Sequence, residues 1–273
     1  MTAISLLRPN GFQIEPAQIC AAVVRGHELT LKHRRLSSGI GALDAILDGG
    51  LARGRISEIV GQVGSGRTTI GARLVAAATR AGEVVAWLEE SRSFAPADIA
   101  AGSANLDRVL WASVSDRRGR GFDSAGRFRR YRFSAVFKAA ELVLKAGGFG
   151  LVVIDSGVSA PLPQNIALRL AREAERSGTA VVVIAPHRIC GTFAALSLKL
   201  TRLEVSFNRL TPASPAVFDG CVIHAATVHN KLGRTGGSAI LCGAIDPLAS
   251  LFAGMHRSQA GAATPLRFDA SNA

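Results

Sequence analysis

Four cysteines are the whole thiol complement of this 273-residue sequence, and Cys20, Cys190, Cys221 and Cys242 lie far apart with no CxxC pair. That scatter excludes a zinc site or a disulfide framework and leaves reduced core thiols. No uninterrupted apolar run reaches the roughly 18 residues of a membrane span. The opening MTAISLLRPNGF has an apolar stretch too short for a secretory signal and no small-residue cleavage site after it. The expectation is a cytoplasmic protein that does not enter a membrane. His187, His224 and His229 have no metal-ligand spacing, and a lone histidine in an apolar run reads as a core residue. No Ser/His/Asp arrangement emerges, so Ser156 reads as a hydrogen-bonding residue at a strand end. Acidic residues are in short supply too: 20 Asp and Glu against 32 Lys and Arg give a formal charge of +12. Such an excess points to a polyanionic or acidic partner, with a solubility role as the plain alternative.

What is present is enough for one sizeable core, since 48% of the residues are hydrophobic. Short β-branched runs alternate with longer amphipathic ones. RISEIV (55–60), EVVAWLEE (83–90), RVLWAS (108–113), FGLVVIDSG (149–157) and TAVVVIA (179–185) read as strands. TTIGARLVAAATRAG (68–82), a piece beginning at Pro96, FSAVFKAAELVLKAGG (133–148) and NIALRLAREAERSG (165–178) read as helices. This alternation predicts an α/β fold: a central, mainly parallel sheet flanked by helices. From about residue 200, LTRLEVSFNRL, CVIHAATVHNKL and SAILCGAI read as consecutive strands between Pro, Asn and Gly turns, adding antiparallel strands in the C-terminal third. The expected division is an N-terminal segment 1–35, in which PAQICAAVVRGHEL loosely indicates a helix, a core at 36–255, and a mobile tail at 256–273.

The stretch GQVGSGRTT (61–69) has the glycine spacing and closing threonines of a phosphate loop, GxxxxGK[ST], with Arg67 where the lysine belongs. Gly61, Gly64 and Gly66 let successive backbone N–H groups face one concavity at a helix N-terminus. Thr68, followed by Thr69, keeps the hydroxyl that binds Mg²⁺. A planar guanidinium is not a conservative replacement for a compact ammonium in a tight cradle, so ATP is expected to bind weakly or not at all. Asp155, ending the apolar run LVVID, is the carboxylate for the Mg²⁺ water shell, or else a turn-capping aspartate.

In this order, LSSGIGALDAILDGGLARGRISEIVGQVGSGRTT (36–69), ELVLKAGGFGLVVIDSG (141–157), VVVIAPHR with FAALSLKLTRLEV (181–205) and VHNKLGRTGG (228–237) resemble the RecA recombinase core over roughly residues 36–245. The resemblance implies a RecA-like P-loop fold, with a helix and then a strand after the nucleotide-sensing strand. It also makes the departures informative. Ser91 falls where the family carries its water-activating glutamate, with Glu89 and Glu90 one or two residues earlier. Strand alternation lets only one of that pair approach the site. Pro186 falls on the glutamine that senses the γ-phosphate. HRICGTF replaces the mobile DNA-binding loop and runs straight into the next helix, and the loop after Asp155 is short. Of two lysines that reach a neighbouring protomer's γ-phosphate, Lys231 matches and His229 replaces the other.

This pattern of losses resembles the ImuA group, RecA-like accessories of SOS mutagenesis and translesion synthesis. The resemblance implies partners such as an ImuB-like Y-family protein, an error-prone polymerase or RecA, with a vestigial ATP and Mg²⁺ site. The alternative is an active DNA-stimulated ATPase of recombinational repair, with Glu89 or Glu90 as base.

Residues 115–138, SDRRGRGFDSAGRFRRYRFSAVFK, concentrate Arg117, Arg118, Arg120, Arg127, Arg129, Arg130 and Arg132 with Tyr131, Phe122, Phe128 and Phe133. Arginine forks pair with phosphates, and aromatics stack on unpaired bases for about 1–3 kcal/mol each, which fits single-stranded DNA. The same residues equally fit an acidic protein surface, or a solvated face whose Phe128 and Tyr131 pack inward at i, i+3.

Overall fold

The alternation of strand and helix seen in the sequence holds, among the described residues, from Ile56 to Ala185. The computed structural model describes residues 34–90, 94–114, 135–157, 160–209, 215–244 and 268–269. The chain divides into two compact units, Met1–His33 and Arg34–Ala273, and every described residue belongs to the second. The expected helix at 16–29, the arginine-rich stretch 115–134 and most of the 256–273 segment therefore lie outside the described residues.

A short antiparallel pair, β1 (Arg35–Leu36) and β2 (Leu51–Ala52), brackets helix α1 (Gly41–Ile46). Asp44 ties this entry together: its carboxylate accepts from Ser37 Oγ at 2.6 Å and from the Ser38 N–H at 2.8 Å. Then come β3 (Ile56–Val60), α2 (Arg67–Arg80), β4 (Val85–Glu89), α3 (Pro96–Ala101) and β5 (Val109–Ser113). They are followed by α4 (Ala135–Ala146), β6 (Leu151–Asp155), α5 (Gln164–Ser177) and β7 (Ala180–Ala185). The last strands are β8 (Ala194–Asn208), β9 (Val217–Asn230), β10 (Ser238–Ala244) and β11 (Phe268–Asp269).

These strands form one nine-stranded sheet in the order β11-β10-β9-β8-β3-β7-β6-β4-β5. From β5 to β8 every pairing is parallel, and β9, β10 and β11 add on in antiparallel fashion. The expected α/β class, with antiparallel strands in the C-terminal third, is therefore found. Phe268–Asp269, within the segment expected to be mobile, pairs with Cys242 and Gly243 on β10.

Both faces of the parallel region are covered, which is why its strands read as near-continuous apolar runs. Side chains alternate between two cores. Val85 and Trp87 of β4, Leu151 and Val153 of β6, and Val182 and Ile184 of β7 share one core with Ile70, Leu74 and Ala78 of α2. Their neighbours Ala86, Leu88, Val152, Ile154, Val181 and Val183 face Phe137 and Leu144 of α4 and Leu170 of α5. By the same alternation Asp155 belongs to the face that α2 covers. Gly71 lets that helix lie close, because a Cβ there would come 2.7 Å from Ile184 Cδ1 and 3.0 Å from Trp87 Cη2.

One expectation is corrected. A helix was anticipated between the sensing strand and the next strand. Only a single 3₁₀ turn, Gly191–Phe193, separates β7 from β8, and β8 begins at Ala194. Leu196, Leu198 and Leu200 alternate with Ser197, Lys199 and Thr201, a period of two that pairs β8 in parallel with β3.

That tight return is held by a charge in the middle of the sheet. Glu58, the one acidic residue of β3, is fully buried. Its Oε1 accepts the N–H groups of Ile189 and Cys190, each at 2.7 Å, and its Oε2 accepts Ser197 Oγ at 2.7 Å. Arg188 Nε lies 3.6 Å from Oε2 and donates to Ser197 Oγ at 3.1 Å. A buried carboxylate is tolerated only when hydrogen-bonded and charge-compensated, and both conditions hold here. Burial first, and Glu58 second, push the Cys190 thiol well above its usual range, so it stays neutral. Glu58→Ala would strand two buried N–H groups and a hydroxyl, and is expected to cost about 3–5 kcal/mol in urea unfolding. Glu58→Gln, which keeps one acceptor oxygen, should cost about 1–3 kcal/mol. A loss under roughly 1 kcal/mol for the alanine variant would contradict this account of the return.

Candidate nucleotide site

The loop between β3 and α2 has the backbone of an anion nest. Gly64 and Gly66 adopt φ of 76° and 85°, a left-handed conformation that costs other residues about 1–2 kcal/mol. The Ser65 N–H donates to the Gln62 carbonyl at 3.1 Å, closing the turn, and Ile70 N–H to Gly66 O at 2.9 Å begins the helix. Gly61 is needed for a different reason. A Cβ there would meet Leu200 O and Ser65 Oγ, each at 2.5 Å, so the loop rests directly on β8. All three glycines singled out from the sequence thus have a geometric cause.

Arg67 is the first residue of α2 and is half-buried. Burial pushes its guanidinium below the usual range, against the attraction of Asp155. The group remains charged, because guanidinium stays protonated throughout the physiological range. Asp155 ends β6, half-buried, two strands from the loop strand with β7 between. Thr68 and Thr69 are exposed on the first turn of α2. The cradle has the backbone shape that a phosphate group needs, and Thr68 at the start of α2 and Asp155 at the end of β6 carry the oxygen donor types that Mg²⁺ prefers.

The two glutamates at the end of β4 part company. Glu89 is fully buried, its Oε2 accepting the Phe94 N–H and its Oε1 accepting Trp111 Nε1, both at 2.9 Å. Phe94 stacks on Trp111 at 5.8 Å and leans on Trp87 at 5.4 Å, so this carboxylate holds an aromatic cluster. The alternative that makes Glu89 the base is therefore not supported by its geometry. Glu89 pairs in register with Asp155, and Glu90, one residue beyond the strand, also feels the Asp155 charge. Burial raises the Glu90 carboxyl above the usual range, the Gly157 N–H opposes the rise, and Asp155 adds to it.

The other expected residues are dispersed. Pro186 directly follows β7 and is half-buried; lacking an N–H, it can only accept. Lys231 is exposed at the end of β9, where its Nζ donates to the Thr192 carbonyl and its N–H to Ala195 O at 2.8 Å. His229 Nε2 is buried with no hydrogen-bond partner. Ser91 and the arginines at 117, 118, 120, 127, 129, 130 and 132, with Tyr131, lie outside the described residues. Sequence reasoning missed Glu58 and Arg202, whose guanidinium stands 2.9 Å from where a Cβ of Gly64 would be. A lone glutamate inside RISEIV was the available signal for the first. For the second there was none. Among the described residues no three or more His, Cys, Asp and Glu side chains gather to hold a metal, and no helix is long and apolar enough to cross a membrane.

Sheet order and loop geometry give an α/β fold of RecA-like type, with a phosphate-loop turn after β3. The particulars of the comparisons agree. The RecA N-terminal domain family matches residues 13–130. Over 145 residues, 52% of this chain, the sequence is 35% identical to Protein RecA of Streptococcus uberis and 34% identical to Protein RecA of Streptococcus pyogenes serotype M5. That stretch is 34% of each relative, so the match spans about a third of their length. The crystal structure of the RadB recombinase superposes with a TM-score of 0.54 at 18% identity, covering 76% of this chain and 94% of that one.

The Glu90 geometry has a consequence for stability. Its carboxyl titrates above the unfolded value of about 4.5, so its favourable contribution is full below that pH and is lost as pH rises through the folded value. Glu90→Gln removes the penalty and is expected to raise the thermal midpoint at about pH 7.5 but not at about pH 4. Equal midpoints at both pH values would show that Glu90 is not held in this environment.

Proposed function

We propose that this RecA-like core acts as an accessory in DNA-damage-induced mutagenesis and translesion synthesis, of the ImuA type, rather than as a strand-exchange engine. It acts in the cytoplasm by binding partner proteins: an ImuB-like Y-family protein, an error-prone polymerase or RecA itself. Single-stranded DNA is a further ligand, through the arginine-rich segment around Arg127, Arg129, Arg130 and Tyr131. The observation that carries the reading is the return after β7. Where a recombination engine needs a mobile element answering to nucleotide, this chain has a short turn whose two N–H groups are bound to the buried Glu58.

The rest of the site supports the same reading. Gly61, Gly64, Gly66 and Arg67 would hold the phosphates of ATP, with Thr68 and Asp155 toward Mg²⁺, which neutralises phosphate charge when bound. Glu89 is occupied by Phe94 and Trp111, and Pro186 offers no donor to a γ-phosphate. Lys231 keeps the position that would reach a neighbouring copy's phosphate. Weak nucleotide binding with little or no turnover follows.

One observation favours the rival reading of a working DNA-stimulated ATPase: Glu90 feels the Asp155 charge and has a raised carboxyl, as a base would. The two readings part on turnover. Purified protein should hydrolyse ATP no faster than a Thr68→Ala variant, with or without single-stranded DNA. Hydrolysis abolished by Thr68→Ala and by Glu90→Gln would establish the enzyme instead.

A further inference from the structure

Strand β8 outruns the strand beside it. Its pairing with β3 ends where Lys199 meets Val60 and the chain turns off into the glycine loop, yet β8 continues to Asn208 with only β9 alongside. β10 flanks β9 only over residues 220–226, so the tip, 207–208 against 217–218, is a two-stranded ribbon. A ribbon of that kind is marginally stable by itself.

The sequence of the overrun, Arg202, Leu203, Glu204, Val205, Ser206, Phe207, Asn208, alternates strictly between polar and apolar. Such alternation belongs to a strand with one face covered. Among the described residues this one stays open: Leu203 is 57% and Phe207 63% exposed, and across the ribbon Val217 and Phe218 are exposed as well. The rings of Phe207 and Phe218 meet edge to face at 6.1 Å, which gathers apolar surface without burying it.

The backbone edge is open too, because among the described residues no strand pairs with the outer side of β8 beyond Lys199. Edge strands are ordinarily blunted by lysine, proline, bulges or short length. Residues 203–208 contain no lysine or proline and a single charge, Glu204. The one blunting device is a bulge: the register shift between Arg202 and Glu204 leaves Leu203 as an extra residue, bending the strand where it leaves the loop. Residues 204–208 run on beyond it.

The pattern of this edge is complementary to itself. We infer that β8 pairs antiparallel with β8 of a second copy of the chain, about a two-fold axis at Val205. In that register Val205 faces its own counterpart, Leu203 meets Phe207, Glu204 meets Ser206 and Arg202 meets Asn208. Apolar groups oppose apolar, polar groups oppose polar, and no like charges face each other. Moving the axis to Glu204 sets two carboxylates together, and moving it to Ser206 sets Leu203 against Arg209. A one-residue slip puts each of Leu203, Val205 and Phe207 opposite a polar residue. The contact is isologous, so it closes at two copies and does not propagate into a filament. Each copy has a formal charge of +12, so salt screens the repulsion between copies and should strengthen pairing. The inference stands apart from the functional reading.

The test is sedimentation velocity of the nuclease-treated full chain over a micromolar concentration series at low and high salt. Wild type should pass from monomer to dimer with rising concentration, more readily at high salt. Ser206 is exposed, so replacing it leaves the fold alone. Ser206→Glu sets two like-charge pairs against Glu204 and should weaken the dimer roughly 2–10-fold, whereas Ser206→Lys makes two opposite-charge pairs and should strengthen it by a similar factor. Directly opposed residues lie about 4.5–5.5 Å apart, so Val205→Cys should give a covalent dimer under mild oxidant that wild type does not. Unchanged melting temperatures establish that the variants fold. A monomer at every concentration overturns the inference and leaves the edge to a strand of a different protein. A dimer on which the two Ser206 substitutions act alike, or not at all, uses another surface and overturns it equally. A missing Val205→Cys cross-link overturns the axis. Association that nuclease removes or salt weakens is bridging by nucleic acid, and overturns it too.

Discussion

A single buried carboxylate sets the working character of this molecule. Glu58 sits on the central strand that feeds the phosphate loop, and through three hydrogen-bond donors and the nearby Arg188 charge it draws in the turn after β7 and the start of β8. Removing a charge from water is expensive, so such a group persists only where its partners are fixed. Fixing them joins the loop strand to both of its neighbours at the edge where ligands of parallel α/β sheets bind. The strand behind the cradle and the return after β7 are thereby joined by buried hydrogen bonds.

On that edge the nucleotide elements survive unequally. The glycine geometry is intact, with the left-handed residues placed where a phosphate needs them. Around it, the groups that would turn binding into a signal have been redirected. Glu89 supports Phe94 and Trp111, and the post-β7 segment is pinned rather than free. Arg67 shares its surroundings with Asp155, so two groups that would meet nucleotide and metal already feel each other's charge.

The sequence made the parallel strands and the loop legible because each depends on local chemistry: unbroken apolar runs for strands buried on both faces, glycine for positive φ. It could not place the start of β8. AALSL is a short apolar run that periodicity alone cannot assign, and only pairing with β3 decides it. Glu58 was visible as an anomaly inside RISEIV, yet its partners are 131 to 139 residues away in the chain. Strand alternation limited the choice between Glu89 and Glu90 to one of them. Choosing required Trp111 and Phe94, which belong to other segments. The two-residue strands β1 and β2 carry too little pattern to be read at all.

The central claim, that the return after β7 is a fixed part of the sheet and not a nucleotide-driven switch, is tested most directly by amide hydrogen exchange at Ile189 and Cys190. Those two amides should exchange as slowly as the amides of β3 and β7, and at the same rate with ATP, Mg²⁺ and single-stranded DNA present or absent. Fast exchange at these positions, or protection that appears only when nucleotide is added, would contradict it.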